Sequence, residues 1–189
     1  MEPDELKLKL RAELRARRDA LVEALDASGA TLAFRRAPMP LQALFASSSV
    51  VAGYVAVGSE ADPSALLEQA HAQGATLALP FVERSSVPMR FLAWKPDDPL
   101  VIGPYGLSQP DRSRAEEVAP DLFLAPLLGF DRRLHRLGQG AGFYDRAFAR
   151  YPDAVRVGIA WSVQEVEMVP DDPWDVPLNA ILTEREWIA

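Results

Sequence analysis

Residues 136 to 146 read RLGQGAGFYDR. Glycines stand at 138, 140 and 142, an arginine closes each end, and Asp145 follows an aromatic pair. Glycine lets the backbone approach an anion with no Cβ in the way. The free N–H groups at the start of a following helix can bind that anion, helped by the helix dipole. The stretch therefore reads either as a phosphate cradle or as a flexible connection between two elements. Two commoner motifs fail here. The P-loop needs Lys-Ser or Lys-Thr after its second glycine, and the dinucleotide fingerprint needs G-x-G-x-x-G directly after the first strand.

Other residues could take part in the same chemistry. Lys7, Arg11, Arg15 and Arg18 recur at helical spacing and fall on one stripe. Such a stripe is either an anion-binding edge or a solvated face. Asp145 directly follows the loop, and Asp171, Asp172 and Asp175 crowd a proline-rich segment near the end. Acidic residues beside a phosphate loop point to magnesium, which takes few carboxylates together with phosphate oxygens. Each is also ordinary cap or turn chemistry. His71 reads as structural and His135 as a surface residue. With no cysteine in the chain, disulfides, thiolate catalysis and Cys-ligated zinc are excluded. No G-x-S-x-G, H-E-x-x-H or kinase set is present.

These residues need elements to hold them. Residues 4 to about 27 read as a long helix, with Asp4 as cap, Leu6, Leu10, Leu14, Leu21 and Leu25 as buried face, and SGA as its end. LQALFAS reads as a short helix and SVVAGYVAV as a strand. Asp62-Pro63 starts the helix SALLEQAHAQ, Gly74 ends it, and ATLALPFV is the next strand. MRFLAW reads as a strand, YGLSQPDRS as an irregular loop, and DLFLAPLLGF as a buried strand interrupted by Pro126. YDRAFARY is a helix, with VRVGIAW and NAILTE as the last strands. The βαβ rhythm predicts a mostly parallel sheet between helices, a Rossmann-like α/β class.

With 189 residues and an apolar fraction of 49%, the chain suits one domain, 1–189, with a sizeable core. Its formal net charge of -7 argues against non-specific nucleic-acid binding but leaves room for a local basic pocket. The charged start MEPDELKLKL lacks the hydrophobic region of a signal peptide, and no apolar run approaches a membrane span. The expectation is a cytoplasmic protein, taken as a monomer, with no nucleic-acid or membrane partner.

Five segments in order carry a resemblance: KLKLRAELRARRDAL, GYVAVGSEAD, GPYGLSQP, FDRRLHRLGQGAGFYDR and VPDDPWDVPLNAILTE. Together they resemble the 5-formyltetrahydrofolate cyclo-ligase family, also called 5,10-methenyltetrahydrofolate synthetases. The fourth is similar to that family's most diagnostic motif, FDxxGxRLGxGxGYYDR. The resemblance implies a three-layer α/β/α sandwich. It also implies ATP- and Mg²⁺-dependent cyclisation of 5-formyltetrahydrofolate, with release of ADP and phosphate. Carried over by motif, Lys7 and Arg11 fall on ATP-contacting positions, and Arg136, Leu137, Gly138, Gln139, Gly140, Ala141, Gly142, Phe143 and Tyr144 on the ATP loop. Val55 and Glu60 fall on substrate-contacting positions, and Asp145 and Asp175 on the magnesium positions. Lys7 and Arg136 would serve catalysis by neutralising charge. Departures are Leu134 for a usual glycine, Phe143 for a tyrosine, Gln109 for a glutamate, and Trp174 and Asn179 for a histidine and an aspartate. Leu134 would bend the loop's entry differently. The alternatives are a non-catalytic folate- or nucleotide-binding relative and a nucleotide-dependent oxidoreductase.

Overall fold

The computed structural model describes residues 3–25, 29, 32–84, 86–170, 172 and 175–189. Asp171 and Trp174 lie outside the described residues, as do Ser28 and Ala30 of the expected helix end and the side chain of Asp4. The helices are α1 (Pro3–Ala24), α2 (Met39–Ser47), α3 (Ser64–Ala72) and α4 (Phe143–Arg150). The strands run β1 (Val50–Ala52), β2 (Thr76–Phe81), β3 (Arg90–Trp94), β4 (Leu100–Ile102), β5 (Ser108–Pro110) and β6 (Leu122–Pro126). After these come β7 (Gly129–Phe130), β8 (Arg136–Leu137), β9 (Val155–Ile159), β10 (Ala180–Leu182) and β11 (Trp187–Ile188).

Seven strands make one sheet in the order β11-β10-β9-β6-β1-β2-β3. The five inner strands are parallel, and β3 and β11 close the edges in antiparallel pairs. Period-two alternation then decides which layer each side chain joins. Val51, Leu77, Leu122 and Leu124 pack toward Leu41 and Phe45 of α2 and Leu66 of α3. Their neighbours Ala52, Ala78, Phe123 and Ala125 pack on the other face with Phe148 of α4. The result is the expected three-layer α/β/α sandwich. From β1 the chain moves to β2 on one side, whereas β6 leads to β9 on the other. The order thus reverses between β1 and β6, and α/β sheets place ligand crevices at such a switch point.

The expected strand SVVAGYVAV stops at Ala52. A Cβ on Gly53 would stand 2.5 Å from Leu67 of α3, so any larger residue would have to displace that buried leucine. Residues 54 to 60 then leave the sheet. The segment expected as an irregular loop at 105–113 instead contributes β5, which pairs with β4 as a hairpin. Pro126 ends β6 rather than interrupting it, and the following Gly129–Phe130 pairs with β8.

Helix α1 departs most from expectation. It already includes Asp4, and Leu6 is exposed at 38% rather than buried. Leu14 is fully buried, but the other buried positions are Lys7 and Arg18. Leu14 packs in a small cluster with Leu137 and Val169. This helix lies against a polar site, so charged residues occupy places that leucines would hold over a core.

Candidate functional site

A cavity of about 730 Å³ opens beyond the carboxyl ends of β1, β2 and β6, at the switch point. Tyr54 and Val55 line it from the chain leaving β1, Pro80 and Val82 from β2, and Pro126 and Leu127 from β6. Residues from α1, the glycine loop and the start of α4 complete its wall. Such a volume falls in the usual range for small-molecule pockets, roughly 300–1,000 Å³.

The glycine loop joins β8 to α4. Gly140 and Gly142 have φ of 107° and 63°, the left-handed region where a side chain strains the backbone. Gly138 is needed for a different reason, because a Cβ there would stand 2.9 Å from the Arg136 guanidinium. Among the described residues, none accepts a hydrogen bond from the N–H groups of Gln139, Gly140, Ala141 or Gly142. Gly138, Gln139, Ala141 and Gly142 face the cavity. Arg136 is 5% exposed and donates to Asp145 Oδ1 at 2.5 Å. Its guanidinium also lies over the Phe148 ring, 5.2 Å from the centroid. Tyr144 is half-buried in the same corner, and its hydroxyl is shut off from solvent with no hydrogen-bond partner among the described residues. Burial, and then the charge of Glu60, hold its pKa well above the usual phenol value.

The basic stripe of α1 divides into two. Arg11 Nε donates to the Gly138 carbonyl at 2.9 Å, which ties the helix to the loop's backbone. Lys7 donates to Asp172 Oδ2 at 2.5 Å and stands 3.6 Å from Asp175 Oδ2. Burial works against the Lys7 charge, but the hydrogen bond to Asp172 and the charge of Asp175 outweigh it, so its pKa is raised. Arg15 and Arg18 reach the cavity wall itself. Arg15 donates to Gln139 Oε1 at 2.8 Å, and Gln139 Nε2 donates to Glu60 Oε1 at 3.4 Å. Glu60 is fixed by accepting the Val57 N–H at 3.0 Å. A polar chain therefore runs from α1 through the glycine loop to Glu60.

Val55 and Glu60 thus share one cavity with Arg136, most of the loop and Asp145. Lys7 and Arg11 do not line that cavity: Arg11 holds the loop through Gly138, and Lys7, one helical turn away, faces Asp172 and Asp175. Among the described residues no group of three or more His, Asp or Glu side chains forms a ready metal cluster.

Some of the departures now have physical explanations. Leu134 takes φ 67°, the left-handed conformation that glycine adopts readily. Gln109 is buried and accepts the Val82 N–H at 3.0 Å, which ties the β4–β5 hairpin to the end of β2. Phe143 keeps the ring and packs edge-on against Tyr105, 6.2 Å between centroids. Asn179 accepts the Arg156 N–H at 2.8 Å and serves the ends of two strands. Sequence reading did not single out Tyr54, Ser59 or Asp131, and it took Arg18 only as part of the stripe. Spacings of four, four and three residues marked Arg18, but nothing local distinguished a buried arginine from a solvated one.

The arrangement supplies cations, free N–H donors and carboxylates around one cavity. It suits a reaction between two bound molecules, one of them anionic. A model described as the 5-formyltetrahydrofolate cyclo-ligase family matches residues 3–184. The 5-formyltetrahydrofolate cyclo-ligase of Haemophilus influenzae is 32% identical over 139 residues, 70% of this chain and 74% of that protein. The enzyme of the same name from Mycolicibacterium smegmatis is 32% identical over 156 residues, 78% and 80% of the two chains. The NMR structure of Aquifex aeolicus 5,10-methenyltetrahydrofolate synthetase matches with a TM-score of 0.75 at 27% identity, covering 97% of this chain and 92% of that one.

Proposed function

The chain belongs to the 5-formyltetrahydrofolate cyclo-ligase family and converts 5-formyltetrahydrofolate to 5,10-methenyltetrahydrofolate, and we propose that it does so by phosphorylating the formyl oxygen with ATP. The observation that carries this reading is the meeting of the glycine loop and Glu60 on one cavity. An anion cradle and an acidic group for a polar ring then face each other across the space where transfer must occur. We take the protein to act as a single 1–189 domain, as a monomer in the cytoplasm.

A formamide oxygen is a poor leaving group until it is phosphorylated. In this reading the N5-formyl oxygen attacks the γ-phosphorus and ADP departs. N10 then attacks the activated carbon and loses its proton, the carbon–oxygen bond breaks and phosphate leaves. The protein's task is positioning and charge neutralisation. The N–H groups of residues 139 to 142 and the Arg136 guanidinium receive the phosphates. Arg11 holds the loop through Gly138, Lys7 adds charge behind it, and Val55 and Glu60 hold the folate.

Magnesium fits the residues present. Asp145 and Asp175 would hold it, each now lying against a cation, Arg136 and Lys7 respectively. With the metal bound, these carboxylates would serve it, and Arg136 and Lys7 would be left to pair with phosphate. When bound, the metal supplies neutralisation of the developing phosphate charge.

The test follows the absorbance of methenyl product with ATP and magnesium present or withheld. Product formation only when both are present supports the reading. Turnover without ATP, or with nicotinamide cofactor in its place, overturns it. Asp145→Asn should raise the magnesium concentration for half-maximal rate, and Asp175→Asn should do so to a lesser degree.

A further inference from the structure

Arg18 is the least expected member of the site. Its side chain is 5% exposed, although it sits on the stripe that sequence would leave in water. Its Nε donates to the Ser59 hydroxyl at 2.9 Å. That hydroxyl donates to Asp19, and the Ser59 carbonyl accepts the Trp161 indole N–H at 3.0 Å. The guanidinium is thus held from behind. Among the described residues its Nη1 has no hydrogen-bond partner, and it stands 4.0 Å from Glu60 Oε1 on the cavity wall. A buried charged donor without an acceptor is costly, and native proteins keep few of them.

Nη1 therefore calls for an acceptor on a ligand. A phosphate is disfavoured there, because Glu60 beside it would repel a second anion. A neutral acceptor next to groups that Glu60 can bind is favoured. The pyrimidinone edge of a pterin offers this pattern, with a ring N–H and an amino group beside a carbonyl oxygen. Resting on the folate reading above, we propose that Arg18 is a specificity-determining residue that donates to the pterin carbonyl oxygen while Glu60 accepts from the neighbouring N–H groups. The pair reads donor and acceptor together, so it distinguishes a 4-oxo ring from a 4-amino ring.

The experiment compares equilibrium binding of 5-formyltetrahydrofolate with that of a 4-amino analogue of the same molecule. The variant is Arg18→Met, which keeps length and removes the donor. Loss of a hydrogen bond from a charged group corresponds to about tenfold or more in affinity. Arg18→Met should therefore weaken the 4-oxo ligand by about that factor, leave the 4-amino analogue within about twofold and leave KM for ATP unchanged. A purely structural role would weaken both ligands together, and that result overturns the proposal. Unchanged affinity for 5-formyltetrahydrofolate overturns it as well. Because Arg18 is buried, Arg18→Lys carries the same comparison should the methionine variant not fold; it should retain part of the 4-oxo preference. Wild-type protein that binds the folate but forms no methenyl product would sink the enzymatic reading instead, and the ligand comparison would still decide the role of Arg18.

Discussion

The turn at 131–135 satisfies its backbone with an anion of its own, whereas the loop at 138–142 leaves its N–H groups open. The two are neighbours in one motif. Asp131 is fully buried, and its carboxylate accepts the N–H groups of Arg133 at 2.9 Å, His135 at 3.1 Å and Val169 at 2.9 Å. In the glycine loop no side chain among the described residues plays that part. The first turn is finished by the protein, and on the proposed reading the second is left for a bound phosphate. Turns of similar shape can therefore be separated into structural and functional ones by asking where their N–H groups go.

The most severe way to break this comparison is to remove the internal anion. Asp131→Ala removes the shared acceptor of the Arg133, His135 and Val169 N–H groups, the last of them buried, and the carboxylate that pairs with the Arg133 guanidinium. Losing one partner of a buried charged network costs about 3–5 kcal/mol. In a chain of this size that lowers Tm by roughly 6–20 °C in a thermal melt. Burial opposes the Asp131 charge, but the N–H groups of Val169 and His135 and the Arg133 guanidinium outweigh it and hold its pKa below the ordinary carboxylate value. Its stabilisation is complete above the unfolded-state pKa and is lost as pH falls through the lower folded value. Acid titration of Asp131→Asn should lack that part of the wild-type stability loss. A variant that melts with the wild type would mean that the turn holds itself.

Closing the open loop has the opposite profile, a modest effect on folding and a large one on binding. Gly140→Ala puts a side chain at φ 107° and within 3.4 Å of the Arg11 guanidinium. The strain is about 1–2 kcal/mol. Displacing N–H groups aimed at phosphate should weaken ATP by about tenfold or more while folate binding changes little. Equal losses for both ligands would show that the loop is only a connection.

Much of this was legible before any coordinates. Glycine spacing, strand-loop-helix order and motif likeness pointed to the loop, Val55 and Glu60, which share one cavity; the βαβ rhythm predicted a parallel sheet covered by helices, and the resemblance implied the sandwich. The misses have a common cause. Periodicity says which residues share a face of α1 but not whether that face meets apolar core or a polar cavity. It therefore buried Leu6, which is exposed, and gave no sign that Lys7 and Arg18 are buried. The close approach of Gly53 to Leu67 joins two elements, and no local pattern contains it. Asp131 resembled any turn aspartate, because its third N–H comes from Val169, 38 residues away.

Lys7 sharpens the comparison as an intermediate case, satisfied by the protein yet placed beside the ligand's loop. Its side chain is 10% exposed, while Asp172 and Asp175 are at 34% and 22%. Partly exposed pairs are worth less than buried ones, so Lys7→Met should cost about 1–2 kcal/mol at neutral pH. Because the Lys7 pKa is raised in the folded state, its contribution is complete below the unfolded-state value and disappears as pH rises through the folded value. Wild type and variant should therefore converge in stability at strongly alkaline pH. The same variant should bind ATP less well. Unchanged ATP affinity together with the stability loss would assign Lys7 to the fold alone.

The smallest effect belongs to Leu134, where the structural turn holds a leucine in a glycine's conformation at φ 67°. An L side chain in that region costs about 1–2 kcal/mol. Leu134→Gly relieves this strain, but it adds about 0.5–1 kcal/mol of backbone entropy in the unfolded chain. It also gives up the apolar contact of a half-buried side chain packed against the second core, about 1 kcal/mol. The terms nearly cancel, so Leu134→Gly should lie within about 1 kcal/mol of wild type. Leu134→Val separates them. Valine keeps more apolar surface than glycine, yet its branched Cβ fits the left-handed region worse than leucine's. If conformation governs this position, the valine variant melts below the glycine variant despite its larger side chain. If packing governs it, the order reverses. In that event the backbone through 131–135 would be set by the Asp131 hydrogen bonds alone.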